Sequence, residues 1–73
     1  MAERQLQISQ SKQVKSAAYD EDTQTLAIEF FSGGTYHYHG VSGETALGLE
    51  SADSPGSYLH LNVKGRHIYR KIG

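Results

Sequence analysis

The sequence predicts an α+β domain in which a three-stranded antiparallel meander packs against two C-terminal helices, with a short fourth strand as an option for the tail. Two patterns support this prediction. Apolar and polar residues alternate around residues 25–30, and apolar residues recur at every third position within residues 43–53. The chain has 73 residues and no cysteine, so we expect one small core without disulfide support.

Three strands are expected in the first half of the chain. The stretch VKSAAY, residues 14–19, is rich in small and β-compatible residues, and the polar cluster DEDTQ after it predicts a turn. The stretch TLAIEFF then places Leu26, Ile28 and Phe30 on one face of a strand. Ser32-Gly33-Gly34 suits a tight reversal, after which TYHYH resumes an extended conformation. Two hairpins therefore join three strands, and one face of the sheet needs a cover.

A helix over residues 43–53 is predicted to supply that cover. Ala46, Leu49 and Ala52 recur at the spacing of one helix face, and Ser42 precedes them as a candidate N-cap. The helix would lay this apolar stripe on the sheet.

A second helix is predicted after the first. Pro55 cannot continue the first helix, but it fits the first turn of a new one, which Ser54 or a neighbour would cap. Residues 58–64 alternate like a strand and also pair like a helix, and we favour a helix that ends near Gly65. The tail HIYRKI, residues 67–72, is compatible with a further helical turn or with a fourth strand.

The charges are unevenly distributed although the formal net charge is only −1. Residues 1–16 carry three bases and one acid, residues 17–57 carry seven acids and no base, and residues 58–73 carry four bases and no acid. The two basic ends could converge into a cationic face. We expect residues 1–10 to be frayed or disordered and residues 11–73 to form a single domain.

Several functional classes are disfavoured by the composition. No apolar run approaches the about 18 residues of a membrane span, and the polar start lacks the apolar stretch of a secretory signal, so a cytoplasmic protein without membrane contact is expected. His37 and His39 could chelate a metal from one strand face, but neither cysteines nor a helical histidine pair accompany them. A chain of this size has little room for a catalytic pocket. We therefore expect no enzyme activity, no metal and no cofactor.

Aromatic residues are the more informative candidates. Tyr36 and Tyr38 share one face of the third strand, and Tyr58 and Tyr69 lie in or beside the basic C-terminal segment. Rings interleaved with Arg and Lys are typical of surfaces that bind single-stranded nucleic acid, because bases stack on rings while cations neutralise phosphates. Tyr36 and Tyr38 could instead be core rings that pack near Phe30. The candidate contacts would then be the histidines, Lys64, Arg66 and Arg70.

Read in order, these motifs resemble the KTSC domain family, a module named for its place at the C-terminus of some lysyl-tRNA synthetases and also found as small bacterial and phage proteins. The resemblance covers roughly residues 11–72. It rests mainly on Tyr36-His37-Tyr38 and on Ser54-x-Gly56-x-Tyr58. Two positions depart from the family pattern, Ser42 in place of a proline and Leu59 in place of a phenylalanine, and both are compatible with the fold.

The resemblance implies RNA binding, by association with a tRNA-charging enzyme rather than by a known mechanism. We therefore expect a small non-catalytic module that binds RNA or another nucleic acid. The alternative is a protein-interaction or assembly module, for which a phage-encoded protein is one option. In either case we expect the protein to be a monomer or a weak homodimer. The residues that the resemblance and the charge pattern nominate for nucleic-acid binding are Tyr36, Tyr38, Ser54, Gly56, Tyr58, Lys64, Arg66, Tyr69 and Arg70.

Overall fold

The structure is a computed structural model that describes residues 3–73. Five strands form one antiparallel sheet in the order β1-β2-β3-β4-β5, and two helices lie between the fourth and fifth strands in sequence. The elements are β1 Glu3–Gln5, β2 Val14–Asp20, β3 Thr25–Phe30, β4 Thr35–Tyr38, α1 Gly43–Ser51, α2 Pro55–Asn62 and β5 Tyr69–Lys71.

The α+β class is correct, and the expected meander is present as β2, β3 and β4, but the predicted count of three or four strands is wrong. The fourth strand is β5, which resolves the open question about the tail. The fifth is β1, which was not expected. Both added strands are three exposed residues at the two edges of the sheet. Segments this short carry no readable periodicity, and only pairing with β2 and β4 defines them.

The start of the chain differs from the frayed segment that the sequence predicts for residues 1–10. Residues 1 and 2 lie outside the described residues. β1 pairs with β2, and Leu6 is buried with its backbone N–H donating to the Ala17 carbonyl oxygen at 2.9 Å. Glu50 of α1 holds this segment, because its carboxylate accepts from the Gln7 backbone N–H at 2.9 Å and from Arg4 at 3.2 Å. These donors, Gln7 first, lower the pKa of Glu50.

One face of the sheet and the two helices share a single hydrophobic core. In β3 the buried positions are Leu26 and Ile28, as the alternation predicts, while Phe30 is only partly buried. From the helices, Leu49 and Leu59 are fully buried. The buried cluster comprises Leu6, Val14, Ala17, Tyr19, Leu26, Ile28, Tyr38, Val41, Ala46, Leu49, Leu59 and Val63.

The hairpin between β3 and β4 turns as its glycines predict. Gly33 and Gly34 have φ angles of 97° and 107°, which side chains rarely tolerate. The Gly33 backbone N–H donates to the Phe30 carbonyl oxygen at 3.1 Å, and the Phe30 N–H donates to Gly34 at 3.1 Å. The tight turn sets the register in which Ile28 lies opposite Tyr36 and Leu26 opposite Tyr38.

Both predicted helices are confirmed. The Ser42 hydroxyl accepts from the Thr45 backbone N–H at 3.2 Å, so Ser42 is the N-cap of α1. Pro55 occupies the first turn of α2, and the ambiguous segment after it is helical. The helix ends at Asn62, and the chain leaves through Gly65 with a φ angle of 81°.

The contact between α1 and α2 is closed by Tyr58. Its ring packs over Gly48, and its hydroxyl donates to the Thr45 carbonyl oxygen at 2.8 Å. A Cβ atom at residue 48 would overlap the Tyr58 hydroxyl and lie 2.8 Å from its ring carbon Cζ. The glycine therefore allows the two helices to approach with a tyrosine between them.

A buried tyrosine ties the sheet to the loop that precedes α1. Tyr19 is buried, and its hydroxyl donates to the Val41 carbonyl oxygen at 2.5 Å. Burial, followed by the nearby carboxylates of Glu21 and Asp20, raises the pKa of Tyr19, so the hydroxyl keeps its proton at neutral pH. The same loop residue makes a second hydrogen bond, because the Val41 backbone N–H donates to the Gln24 carbonyl oxygen at 2.9 Å.

We expect Tyr19→Phe to lower the free energy of unfolding by about 1–3 kcal/mol, because the Val41 carbonyl oxygen loses a donor in the core. Urea unfolding of the purified variant measures this loss. Tyr69→Phe is the control, since its ring is exposed and should change stability by less than about 0.5 kcal/mol. Equal losses in the two variants would contradict a specific role for the buried hydroxyl.

Candidate nucleic-acid interface

The helices leave the β4–β5 end of the core face uncovered. One row of paired residues runs across the sheet from Tyr19 through Leu26 and Tyr38 to Tyr69. The first three are buried, with Tyr38 only 3% exposed, whereas Tyr69 is 60% exposed. The core face therefore continues past the helices as an open aromatic surface.

Four rings line this surface and contact one another. Tyr36 and Tyr38 are stacked with centroids 6.4 Å apart, and Tyr69 is tilted at 5.8 Å from each of them. Phe30 meets Tyr36 edge-on at 5.6 Å. Together they form a groove of about 460 Å³, which we call the aromatic groove. Its lining is Phe30, Ser32, Gly33, Tyr36, Tyr38, Lys64, Gly65 and Tyr69.

Lysines stand at the rim of the aromatic groove. The Lys64 ammonium lies 5.0 Å from the centre of the Phe30 ring, a cation–π contact. Lys71 lies opposite Tyr36 on the same face, with its side chain beside Gly34. Within residues 3–73 neither lysine forms an ion pair, and no acid lines the groove. The acidic turn at residues 20–22 lies beyond the far end of β3, about 17 Å from Phe30 along the strand. The groove is therefore locally cationic.

The Tyr38 hydroxyl in the groove stays protonated at physiological pH. Burial, and then the neighbouring Tyr36 and Tyr69, raise the pKa of Tyr38. A neutral phenol both donates and accepts hydrogen bonds. The groove thus presents ring faces together with a polar group at its base.

The structure brings together four of the nine nominated residues: Tyr36, Tyr38, Lys64 and Tyr69. The sequence allowed Tyr36 and Tyr38 to be either core rings or a binding surface. Tyr38 has features of both, because it belongs to the core while its ring also lines the groove. Tyr36 is half-buried and forms a wall.

The other five nominated residues lie elsewhere. Arg70 pairs with His37 and faces the opposite side of the sheet from Tyr69. Arg66 is exposed in the turn after α2. Tyr58 lies between the helices. Ser54 and Gly56 lie at the start of α2, where the absence of a side chain on Gly56 lets the Gln13 side chain approach closely.

Sequence reasoning missed Phe30 in the lining of the groove and Lys71 at its rim. The alternation of β3 places Phe30 on the core face, and nothing in that pattern shows that the helices stop short of it. Lys71 alternates with Arg70, so recognition of the tail as a strand would have placed it beside Tyr69 on the groove face.

Other candidate sites find no geometric support in the part of the chain that the structure describes. No group of three or more His, Cys, Asp or Glu side chains is close enough to hold a metal ion among residues 3–73. Neither α1 nor α2, the helices of this described range, has the length and apolar character that crossing a bilayer requires.

The fold and the groove together define a small α+β single-domain module with an aromatic, lysine-rimmed surface. The chain belongs to the KTSC domain family, whose family model matches residues 10–69, as the sequence resemblance indicated. The crystal structure of a KTSC domain protein from Yersinia pestis superimposes with a TM-score of 0.89 at 36% identity, covering 99% of this chain and 100% of that one.

Relatives of two kinds match the chain. An uncharacterized protein from Stutzerimonas stutzeri is 38% identical over 58 residues, which cover 80% of this chain and 82% of that protein. Lysine–tRNA ligases from Trichormus variabilis and a Nostoc species are each 37% identical over 59 residues, 81% of this chain. The match spans only 10% of the length of these ligases, so this chain is similar to one small segment of them.

Proposed function

We propose that this chain is a non-catalytic module that binds single-stranded RNA by stacking unpaired bases in the aromatic groove. One observation carries the proposal: a cluster of four aromatic rings lines a groove in which Tyr69 is 60% exposed, and the two lysines at its rim form no ion pair in the described chain. Each base stacked on a ring contributes about 1–3 kcal/mol, and lysines at the rim are placed for the adjoining phosphates.

The charge of the groove favours a base over a cation as its occupant. Aromatic cages also bind ammonium groups by cation–π attraction. Here Lys64 already lies over Phe30, and no acid in the groove lining offsets its charge. A second cation would meet repulsion, whereas a base is neutral and brings a negative phosphate.

Two considerations favour single-stranded RNA among nucleic acids. Bases in a duplex are already stacked and expose only their edges, so a ring platform selects unpaired bases. Relatives that share this domain include enzymes named lysine–tRNA ligases, which supports RNA as the partner. Lys64 and Lys71 neutralise about two phosphates, so we expect weak binding of micromolar class in isolation.

The proposal is tested by titrating the protein with a mixed-sequence single-stranded RNA at low salt while following aromatic and amide NMR signals. We expect shifts at Tyr36, Tyr69 and Lys64, and none at Arg70 on the opposite face. Two phosphate contacts at the groove alone predict a slope of at least about 1.4 in magnitude for log affinity against log salt, so affinity should fall at least about sevenfold between about 50 and 200 mM salt. Unchanged ring signals at a large excess of RNA would overturn the proposal.

An exposed apolar edge supports a second candidate function, the docking of a protein segment. Ile68 and Ile72 are 81% and 52% exposed on the sheet face opposite the groove, beside the unpaired edge of β5. Self-pairing of two β5 edges would juxtapose Arg70 and Lys71 of both copies, which disfavours a homodimer through this edge. Sedimentation of the protein as a monomer at high concentration would remove self-assembly from consideration.

A further inference from the structure

We propose that the RNA strand continues from the aromatic groove along a shallow furrow toward the start of α2, and that Lys12 binds its phosphates there. This inference rests on the proposed function. It adds a residue outside the groove and sets a minimum site of about three to four nucleotides, one phosphate for each of Lys71, Lys64 and Lys12.

The furrow is continuous with the groove. A second depression of about 290 Å³ begins where the groove ends, and the two share Phe30, Ser32 and Lys64 as lining. Its far wall is formed by Lys12 and Gln13. A strand whose base lies on the rings can therefore leave the groove past Lys64 without crossing a ridge.

The charge of the furrow fits a phosphate backbone. Lys12 and Lys64 line it, no acid does, and neither lysine forms an ion pair in the described range 3–73. One neighbouring depression again contains Lys12 but also Asp53. Because that carboxylate would repel a phosphate, the path should not continue past Lys12 into this depression.

The loop that carries Lys12 is held in place by its neighbours. The Ser11 hydroxyl accepts from the backbone N–H groups of Gln13 at 3.1 Å and Val14 at 3.2 Å. The Gln13 carbonyl oxygen accepts from the Phe31 N–H at 3.0 Å, beside the groove hairpin. A Cβ atom at Gly56 would overlap the Gln13 side chain, so the glycine allows this loop to pack closely against α2. Lys12 is thus presented by an ordered turn, which lowers the entropic cost of using it.

Single-stranded nucleic acid is favoured over an acidic peptide because the rings and the furrow form one surface. Lysines alone would attract any polyanion, but carboxylate side chains gain nothing from the aromatic rings that line the groove. A peptide also lacks a regular alternation of stacking group and charge. The occupant that uses both parts is a strand with bases and phosphates.

The test compares a uridine mononucleotide, a uridine tetranucleotide and an oligo-aspartate peptide on wild-type protein, Lys12→Ala and Lys15→Ala. Lys15 is the matched control, three residues away and paired with Glu29 at 3.8 Å. We expect Lys12→Ala to weaken tetranucleotide binding about five- to tenfold and to reduce the salt slope by about 0.7, while mononucleotide binding stays the same. Lys15→Ala should match wild type. Urea unfolding verifies that both variants are folded.

Three outcomes would overturn the inference. Tetranucleotide binding that is unaffected by Lys12→Ala would remove Lys12 from the path while leaving the groove as the RNA site. If oligo-aspartate binds as tightly as the tetranucleotide, the surface recognises negative charge alone. If neither RNA ligand moves the tyrosine signals, the proposed function itself fails along with the furrow.

Discussion

Tyr58→Ala is expected to lower the free energy of unfolding by about 3–5 kcal/mol, because Tyr58 packs between the two helices. The ring fills the contact between the two helices above Gly48, and its hydroxyl satisfies the Thr45 carbonyl oxygen. Urea unfolding gives the size of the loss. Tyr58→Phe keeps the ring and should lose only about 1 kcal/mol. A stable Tyr58→Ala variant with weakened RNA binding would instead place this tyrosine in the interface.

The same contact predicts that the effect of Gly48→Ala on stability changes sign when Tyr58 is removed. Alanine is favoured over glycine in a helix interior by about 1 kcal/mol, yet its Cβ would overlap the Tyr58 hydroxyl. In the wild-type background Gly48→Ala should therefore cost about 1–3 kcal/mol, as overpacking does. In the Tyr58→Ala background the clash is absent, and the same substitution should stabilise the protein by up to about 1 kcal/mol. Additive effects in this double-mutant cycle would contradict the packing described here.

Tyr69→Ala is expected to have the largest effect on binding, weakening single-stranded RNA about 5–150-fold, which corresponds to the loss of about 1–3 kcal/mol from one stacked base. Tyr69 is 60% exposed at the sheet edge, so its removal should leave the core intact. Fluorescence anisotropy with a labelled oligoribonucleotide measures the change.

Phe31→Ala is the matched control for this substitution. Phe31 is equally exposed, at 59%, but does not line the aromatic groove. It should bind RNA like the wild type. A loss shared equally by Tyr69→Ala and Phe31→Ala would indicate a diffuse apolar effect rather than stacking in the groove.

Local sequence signals were sufficient to predict the elements that have their own hydrophobic periodicity, turn residues or helix caps. The alternation of Leu26 and Ile28, the Gly33-Gly34 reversal and the Ser42 cap each reflect forces that act within a few residues. The edge strands β1 and β5 are different. Three residues of polar or mixed character become strands only because a neighbour offers a hydrogen-bonding edge, and that neighbour is distant in sequence.

Only part of the candidate site could be predicted from the sequence, for the same reason. Tyr36 and Tyr38 were identified from one strand, but the groove exists because β5 adds Tyr69 beside Tyr38 and because the helices stop before Phe30. Composition nominated Arg70, whereas strand alternation turns it to the other face. Gly56 and Tyr58 carry the resemblance to the family, and in the structure both make close packing contacts.

The strand order also determines how this domain can be joined to other polypeptides. β1 and β5 are the two edges of the sheet, separated by four strand spacings of about 4.8 Å, or roughly 19 Å. A chain joined ahead of Glu3 starts at the edge remote from the aromatic groove, whereas one joined after Gly73 starts beside Thr35 and Gly34, at the groove's own rim. A partner domain or an immobilisation tag attached upstream therefore leaves the rings open to solvent, and one attached downstream crowds them.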